Sequence, residues 1–190
     1  NVRLLRESAV VDHAEHGAPG LISVHGVRYT TARHTAEETT DAVFRALGHA
    51  TPPPCRTART PLPGGEMPRV AALEADALRQ HAAVAPAALV SRLVRTYGTR
   101  YDRVLRLVHA APALAEPLGA ATAVTGAEIV FAAREEIAVT LADAILRRTE
   151  AGSAGHPGDD AVERAATLMA AEHHWSTDRR QREVEAIEQF

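Results

Sequence analysis

The chain has 190 residues, 46% of them hydrophobic and 24% charged, which is enough apolar surface to close a core and excludes a disordered tail. Its 21 basic residues are all arginine and are balanced by 24 acidic ones, so no basic half exists to grip nucleic acid, and no lysine exists for Schiff-base or Walker-type chemistry. A single cysteine, Cys55, excludes an internal disulfide, and no apolar run approaches the roughly 20 residues of a membrane helix. In chain order, residues 2–6 and 9–11 read as short strands, 12–20 (DHAEHGAPG) as turn chemistry and 21–24 (LISV) as a further strand. Gly26 breaks that strand, Thr30-Thr31 stand where a helix N-cap belongs, and a helix carrying Ala36, Val43, Phe44 and Leu47 ends at Gly48. Residues 49–68 hold six prolines and two glycines, too many for a helix or central strand, and read as a linker.

Beyond the linker the apolar period becomes helical. Val70, Leu73, Ala77 and Leu78 mark one helix; Pro86 opens a second that runs through Leu89 and Leu93 to Gly98. Further helices are expected over 101–111 and 126–138, and from Thr140 through Leu146. The last two are expected over 159–172 and 176–189, after a glycine-rich loop at 152–158. The expected organisation is therefore a strand–turn–helix segment at 1–48, a linker at 49–68 and an all-helical domain of about six helices at 69–190: a mainly α fold.

The segment with most chemistry in it is GLISVHGVRYTTAR, residues 20–33. A strand that ends in glycine and runs at once into hydroxyls and a helix start aims unsatisfied N–H groups and a positive helix end at one spot, which favours negative charge. An ordinary turn capped by threonine is the plainer reading of the same spacing. Asp12, His13, Glu15 and His16 offer metal-ligand types but in exposed turn context, so no metal is expected. Arg134, Glu135, Glu136, Asp143, Arg147 and Arg148 suit charged pairs on or between helices, with Arg147 and Arg148 assigned to a domain interface. Cys55 lies among prolines with no base beside it and is read as structural.

Extended to GLISVHGVRYTTARHTAE, residues 20–37, the segment resembles the stretch that closes the flavin domain in FAD-dependent glycerol-3-phosphate dehydrogenases, near G-L-x-S-V-x-G-G-K-[LY]-T-T-x-R-x-x-A-E. PCRTARTPLPGG at 54–65 is similar to that family's connecting segment, and EIVFAAREEIAVTLADAILRRT at 128–149 to its helical stretch. The resemblance implies the C-terminal part of such an enzyme: a strand–turn–helix remnant of an α/β FAD-binding domain, followed by a helical C-terminal domain. It implies oxidation of glycerol 3-phosphate to dihydroxyacetone phosphate, with a hydride passed to FAD and electrons onward to quinone or another acceptor.

By the same resemblance, Gly26, Val27, Arg28, Tyr29, Thr30 and Thr31 would border the cofactor, and Arg6 and Arg28 would hold the substrate phosphate. No residue of the chain takes a catalytic role. Gly26-Val27-Arg28 replaces the family's Gly-Gly-Lys, which keeps the charge but changes its shape to a planar fork. No G-x-G-x-x-G follows a strand, so the dinucleotide-binding half is expected upstream of Asn1, and the segment alone is expected to be inactive. The implied partners are that upstream domain, glycerol 3-phosphate, a quinone at a membrane face and a second copy in a homodimer. The implied location is the cytoplasm, peripheral to the inner face of the membrane, without signal peptide or spanning helix. Two other readings fit the residues: a free-standing helical interaction module, and a related flavoenzyme acting on another small hydroxy or amino acid.

Overall fold

The computed structural model describes residues 7–26, 28–67 and 69–188. Two units separate at Pro61, Asn1–Pro61 and Leu62–Phe190. In the first, β1 (Ala9–Asp12) pairs antiparallel with β2 (Ile22–His25) in the register Ala9↔His25 to Asp12↔Ile22. The intervening loop is fixed by local bonds: the Ala14 amide donates to Asp12 Oδ1 at 2.9 Å, and the His13 amide to the Leu21 carbonyl at 3.0 Å. A 3-10 turn, Tyr29–Thr31, feeds α1 (Ala32–Ala46). Gly48 closes that helix with φ +88°, the left-handed conformation that frees the last carbonyls for capping, and its amide donates to the Arg45 carbonyl at 2.9 Å.

The second unit is mainly helical: α2 (Val70–His81), α3 (Ala87–Tyr97), α4 (Tyr101–Ala110), α5 (Gly126–Glu135), α6 (Asp159–His173) and α7 (Thr177–Glu188). Two cores result. Leu89, Val90, Leu93, Val94, Leu105 and Phe131 close one around α3, α4 and α5. Ile129, Leu141, Ile145, Val162, Ala166 and Met169 close the other around α5 and α6, where alanines let the helices approach closely.

Three features depart from the expected elements. Residues 117–125 form a hairpin, β3 (Pro117–Gly119) against β4 (Thr122–Thr125), whose Leu118 and Val124 enter the core. Asp143–Arg148 is a π-helical segment rather than part of a regular helix. The last proline-rich residues belong to the helical unit. The Gly64 carbonyl accepts from the Thr99 amide at 2.9 Å, and a Cβ added at Gly98 would lie 1.9 Å from that carbonyl oxygen, so only glycine fits there. Thr99 Oγ1 and the Gly64 amide each donate to Glu66 Oε2 at 2.8 Å, and these bonds, that of Thr99 first, hold the Glu66 carboxyl below its ordinary range.

Candidate functional site

In the first unit a single described residue, Thr35, is buried. Leu21, Val24, Val43 and Leu47 stay exposed, and Tyr29 is fully exposed. Period-2 and period-3.6 apolar patterns are therefore present without the cover they normally acquire. An open, mostly apolar cleft of about 720 Å³ lies along this face, lined among others by Val24, Gly26, Arg28, Tyr29, Ala32 and Thr35.

The turn at its mouth follows from local chemistry. Arg28 is extended (φ −149°, ψ 138°), and its carbonyl accepts from both the Thr31 amide at 3.3 Å and Thr31 Oγ1 at 3.1 Å. Thr31 does not cap the helix with its side chain, because the 3-10 turn ahead of α1 brings the Arg28 carbonyl within reach of the hydroxyl. The first helical bond starts at Thr31, so the Tyr29 and Thr30 amides take no intrahelical acceptor. A Cβ built on Gly26 would meet nothing within 4 Å, so the space beside this turn is open.

Of the residues singled out from the sequence, Gly26, Arg28 and Tyr29 line this one cleft. Thr30 and Thr31 sit in the same turn without lining it, and Arg6 and Val27 lie outside the described residues. The donor set, amides beside a guanidinium, suits the electron-rich edge of a flavin or a phosphate, but these residues enclose neither. Of the loop histidines, His13 has a local partner, its Nε2 lying 2.9 Å from Ser23 Oγ. Cys55 Sγ lies 3.1 Å from Thr57 Oγ1.

The charged network of the helical unit centres on a residue given no such role in the sequence. Glu128 is 1% exposed and receives both Arg92 guanidinium nitrogens, Tyr97 Oη at 3.3 Å, and the Thr125 amide and hydroxyl at 2.8 and 2.9 Å. Thr125 and Glu128 form a capping box at the start of α5, a spacing readable in TGAE; the part of Arg92, 36 residues away, is not. Burial first, and the Glu128 charge second, push the Tyr97 phenol above its ordinary value and keep it protonated. Burial opposes the charge of Arg92, but the bond to Glu128 prevails and raises its value. Arg134 pairs with Glu172, Glu135 with Arg103, and Arg147 with Asp143, while Arg148 Nε donates to the Glu136 carbonyl at 2.7 Å. Among the described residues, no helix is long and apolar enough to cross a membrane.

The profile of a family described as the C-terminal domain of alpha-glycerophosphate oxidase matches residues 55–180. Similar proteins include a glycerol-3-phosphate dehydrogenase of Synechocystis sp., 34% identical over 77% of this chain and 26% of the relative. The anaerobic glycerol-3-phosphate dehydrogenase of Haloferax volcanii contains a polypeptide that is 32% identical over 93% of this chain and 28% of its own length. Its counterpart in the Escherichia coli anaerobic enzyme is 33% identical over 86% and 28%. The chain thus spans about a quarter of the length of the curated relatives it matches.

Proposed function

Because the chain belongs to the family of the C-terminal domain of alpha-glycerophosphate oxidase, we propose that it is the C-terminal part of an FAD-dependent glycerol-3-phosphate dehydrogenase. The complete enzyme would oxidise glycerol 3-phosphate to dihydroxyacetone phosphate and pass electrons to quinone or another acceptor. The observation that carries this reading is the amide-bearing turn at Arg28 to Thr31 opening onto an apolar face with no core of its own. Such a face suits burial against the sheet of an FAD-binding domain, with the residues 1–61 completing that domain and 62–190 forming the helical one. A homodimer and a position at the inner face of the cell membrane belong to the same reading.

FAD, when bound, supplies the two-electron acceptor for the secondary alcohol. The chain's own part is electrostatic and positional. The Tyr29 and Thr30 amides and the adjoining positive end of α1 stabilise negative charge at the flavin edge, with Gly26, Val27 and Thr31 completing that border. Arg28 and Arg6 hold the substrate phosphate, the planar fork of Arg28 engaging two phosphate oxygens at once and fixing the reacting carbon in place. The helical unit, which closes two cores of its own, steadies the assembly.

Purification of the complete gene product tests this directly. A yellow protein that bleaches anaerobically on adding glycerol 3-phosphate supports the reading, and Arg28→Ala raises KM by about tenfold or more while leaving the flavin bound. A colourless complete protein removes the enzyme reading and favours a helical interaction module, which the self-contained cores of residues 62–190 would permit. Bleaching by another hydroxy or amino acid, with no response to glycerol 3-phosphate, reassigns the substrate.

A further inference from the structure

A second cleft, of about 780 Å³, lies in the helical unit between the π-helical segment and α7, lined by Thr140, Asp143, Arg147, Arg179, Arg182 and Glu183. Three guanidinium groups face two carboxylates there, and both carboxylates are engaged by the backbone. Asp143 Oδ2 accepts from the Val139 and Thr140 amides at 3.1 and 3.0 Å, and its Oδ1 from Arg147 at 3.0 Å. Burial opposes this charge, yet the bonds from Thr140 and Val139 and the Arg147 charge hold the Asp143 carboxyl below its ordinary range. Glu183 Oε2 accepts from the Leu141 amide at 2.9 Å, and its Oε1 lies 3.6 Å from Arg179 Nε.

The arginines keep donors to spare. Arg179 donates to the Val139 carbonyl at 3.2 Å and stacks over Trp175, its guanidinium carbon 4.8 Å from the ring centre. Among the described residues no carboxylate comes within ion-pair distance of Arg182. That sets it apart from Arg92, Arg95, Arg103, Arg106, Arg134 and Arg180, each paired with a carboxylate. In the adjoining loop the Ala138 carbonyl lies 2.8 Å from Nε2 of His173, the last residue of α6. A π-helical turn is a rare interruption that recurs at functional sites.

We propose that this cleft binds a phosphate-bearing anion through Arg147, Arg179 and Arg182. Guanidinium forks with free N–H groups match phosphate oxygens, and the three guanidinium charges lining the cleft outnumber its two carboxylate charges. The phosphate can come from a soluble ester or from a lipid headgroup. The cleft is built from residues of the helical unit alone and does not depend on the function proposed for the turn at Arg28.

The one tryptophan of the chain, Trp175, lies under Arg179 and reports on the cleft. Titration with sodium pyrophosphate at fixed ionic strength gives a saturating change in its fluorescence, which sodium chloride does not reproduce. Arg182→Gln weakens binding by about tenfold, the loss of one charge-assisted contact, and Arg182→Glu abolishes it. Arg180→Gln, whose partner is Glu163 outside the cleft, leaves it unchanged. Co-sedimentation with phosphatidylcholine vesicles containing phosphatidylglycerol, lost in Arg182→Glu, assigns the phosphate to a lipid; binding of pyrophosphate without vesicle binding assigns it to a soluble ester. Matched thermal melts of the Arg182 variants exclude unfolding as the cause. No saturable binding of either probe, or Arg182 variants that bind like the parent, overturns the proposal.

Discussion

The segments before and after Pro61 are written in similar apolar patterns yet end in different physical states. From Leu62 onward most of the periodic residues are buried: Leu93, Leu105, Ile129 and Ile145 are 0% exposed and Phe131 1%, while Val70, at 47%, is an exception. Before it, Leu47 is 71% exposed and Val24 47%, although Leu47 has the helical spacing and Val24 the strand environment that normally lead inward. Among the described residues, side chains with equal appetite for burial thus find a core in one region and none in the other. Burial of a large aliphatic side chain contributes about 1.5–3 kcal/mol, so the helical unit is stabilised within the chain, whereas the described side chains of the strand–turn–helix unit gain little of that stabilisation.

The largest contrast should come from Glu128. Removing one partner of a buried ion pair strands the other, so Glu128→Ala should destabilise the helical unit by about 3–5 kcal/mol, read from urea denaturation with Trp175 as the probe. A loss under about 1 kcal/mol would show that the pair behaves as an exposed one and does not hold the helical core together. Next, Phe131→Ala should cost about 3–4 kcal/mol by leaving a cavity beside Tyr97, whose ring stands edge-on to it at 5.3 Å, while Val24→Ala in the first unit should change the same transition by less than about 0.5 kcal/mol. Equal effects would mean that the first unit has a core after all.

A smaller effect concerns pH. The His81 ring meets Tyr101 and His109 edge-on, and its Nδ1 is buried without a partner. Burial first, then the neighbouring His109, hold its value below that of a free imidazole, against the opposing pull of Asp102. The unfolded chain therefore takes up this proton before the folded one. Stability is complete above about pH 6.5 and falls as pH drops from there through the folded-state value. His81→Phe should flatten that dependence in urea midpoints measured between neutral and mildly acidic pH; an unchanged slope would remove His81 as its source.

The smallest effect has the opposite sign. Ile137 follows α5 with φ +57° and is 79% exposed, a left-handed conformation that a β-branched residue adopts at a cost. Its neighbour Ala138 donates from its amide to the Ala132 carbonyl at 3.0 Å, so the chain folds back on the end of α5 through this left-handed residue, a conformation that glycine adopts freely. Ile137→Gly should stabilise the helical unit by about 1 kcal/mol, and destabilisation would show that the side chain is held by contacts instead.

What could be read from the residues alone follows the same division between local and distant causes. The starts of α4, α5 and α6 at Tyr101, Gly126 and Asp159 agree with the expected ones, because apolar period and N-terminal chemistry act within a few residues. The hairpin at 117–125 escapes such a reading because PLGAATAVT alternates over too few large side chains to announce a strand. The pairing of Gly64 with Gly98, and of Arg92 with Glu128, depends on chain segments that meet only after folding. At the candidate site, the strand–glycine–hydroxyl order indicates the amide-bearing turn, but not that Thr31 Oγ1 donates to the Arg28 carbonyl.

Native-state hydrogen exchange on the chain addresses the division at Pro61 most directly. Amides of α3, α4 and α5 should exchange only through global unfolding, while those of β1, β2 and α1 should exchange through low-energy local opening and lose protection far sooner. Protection in α1 equal to that in α5 would contradict it, since the first unit would then be stabilised by burial within this chain.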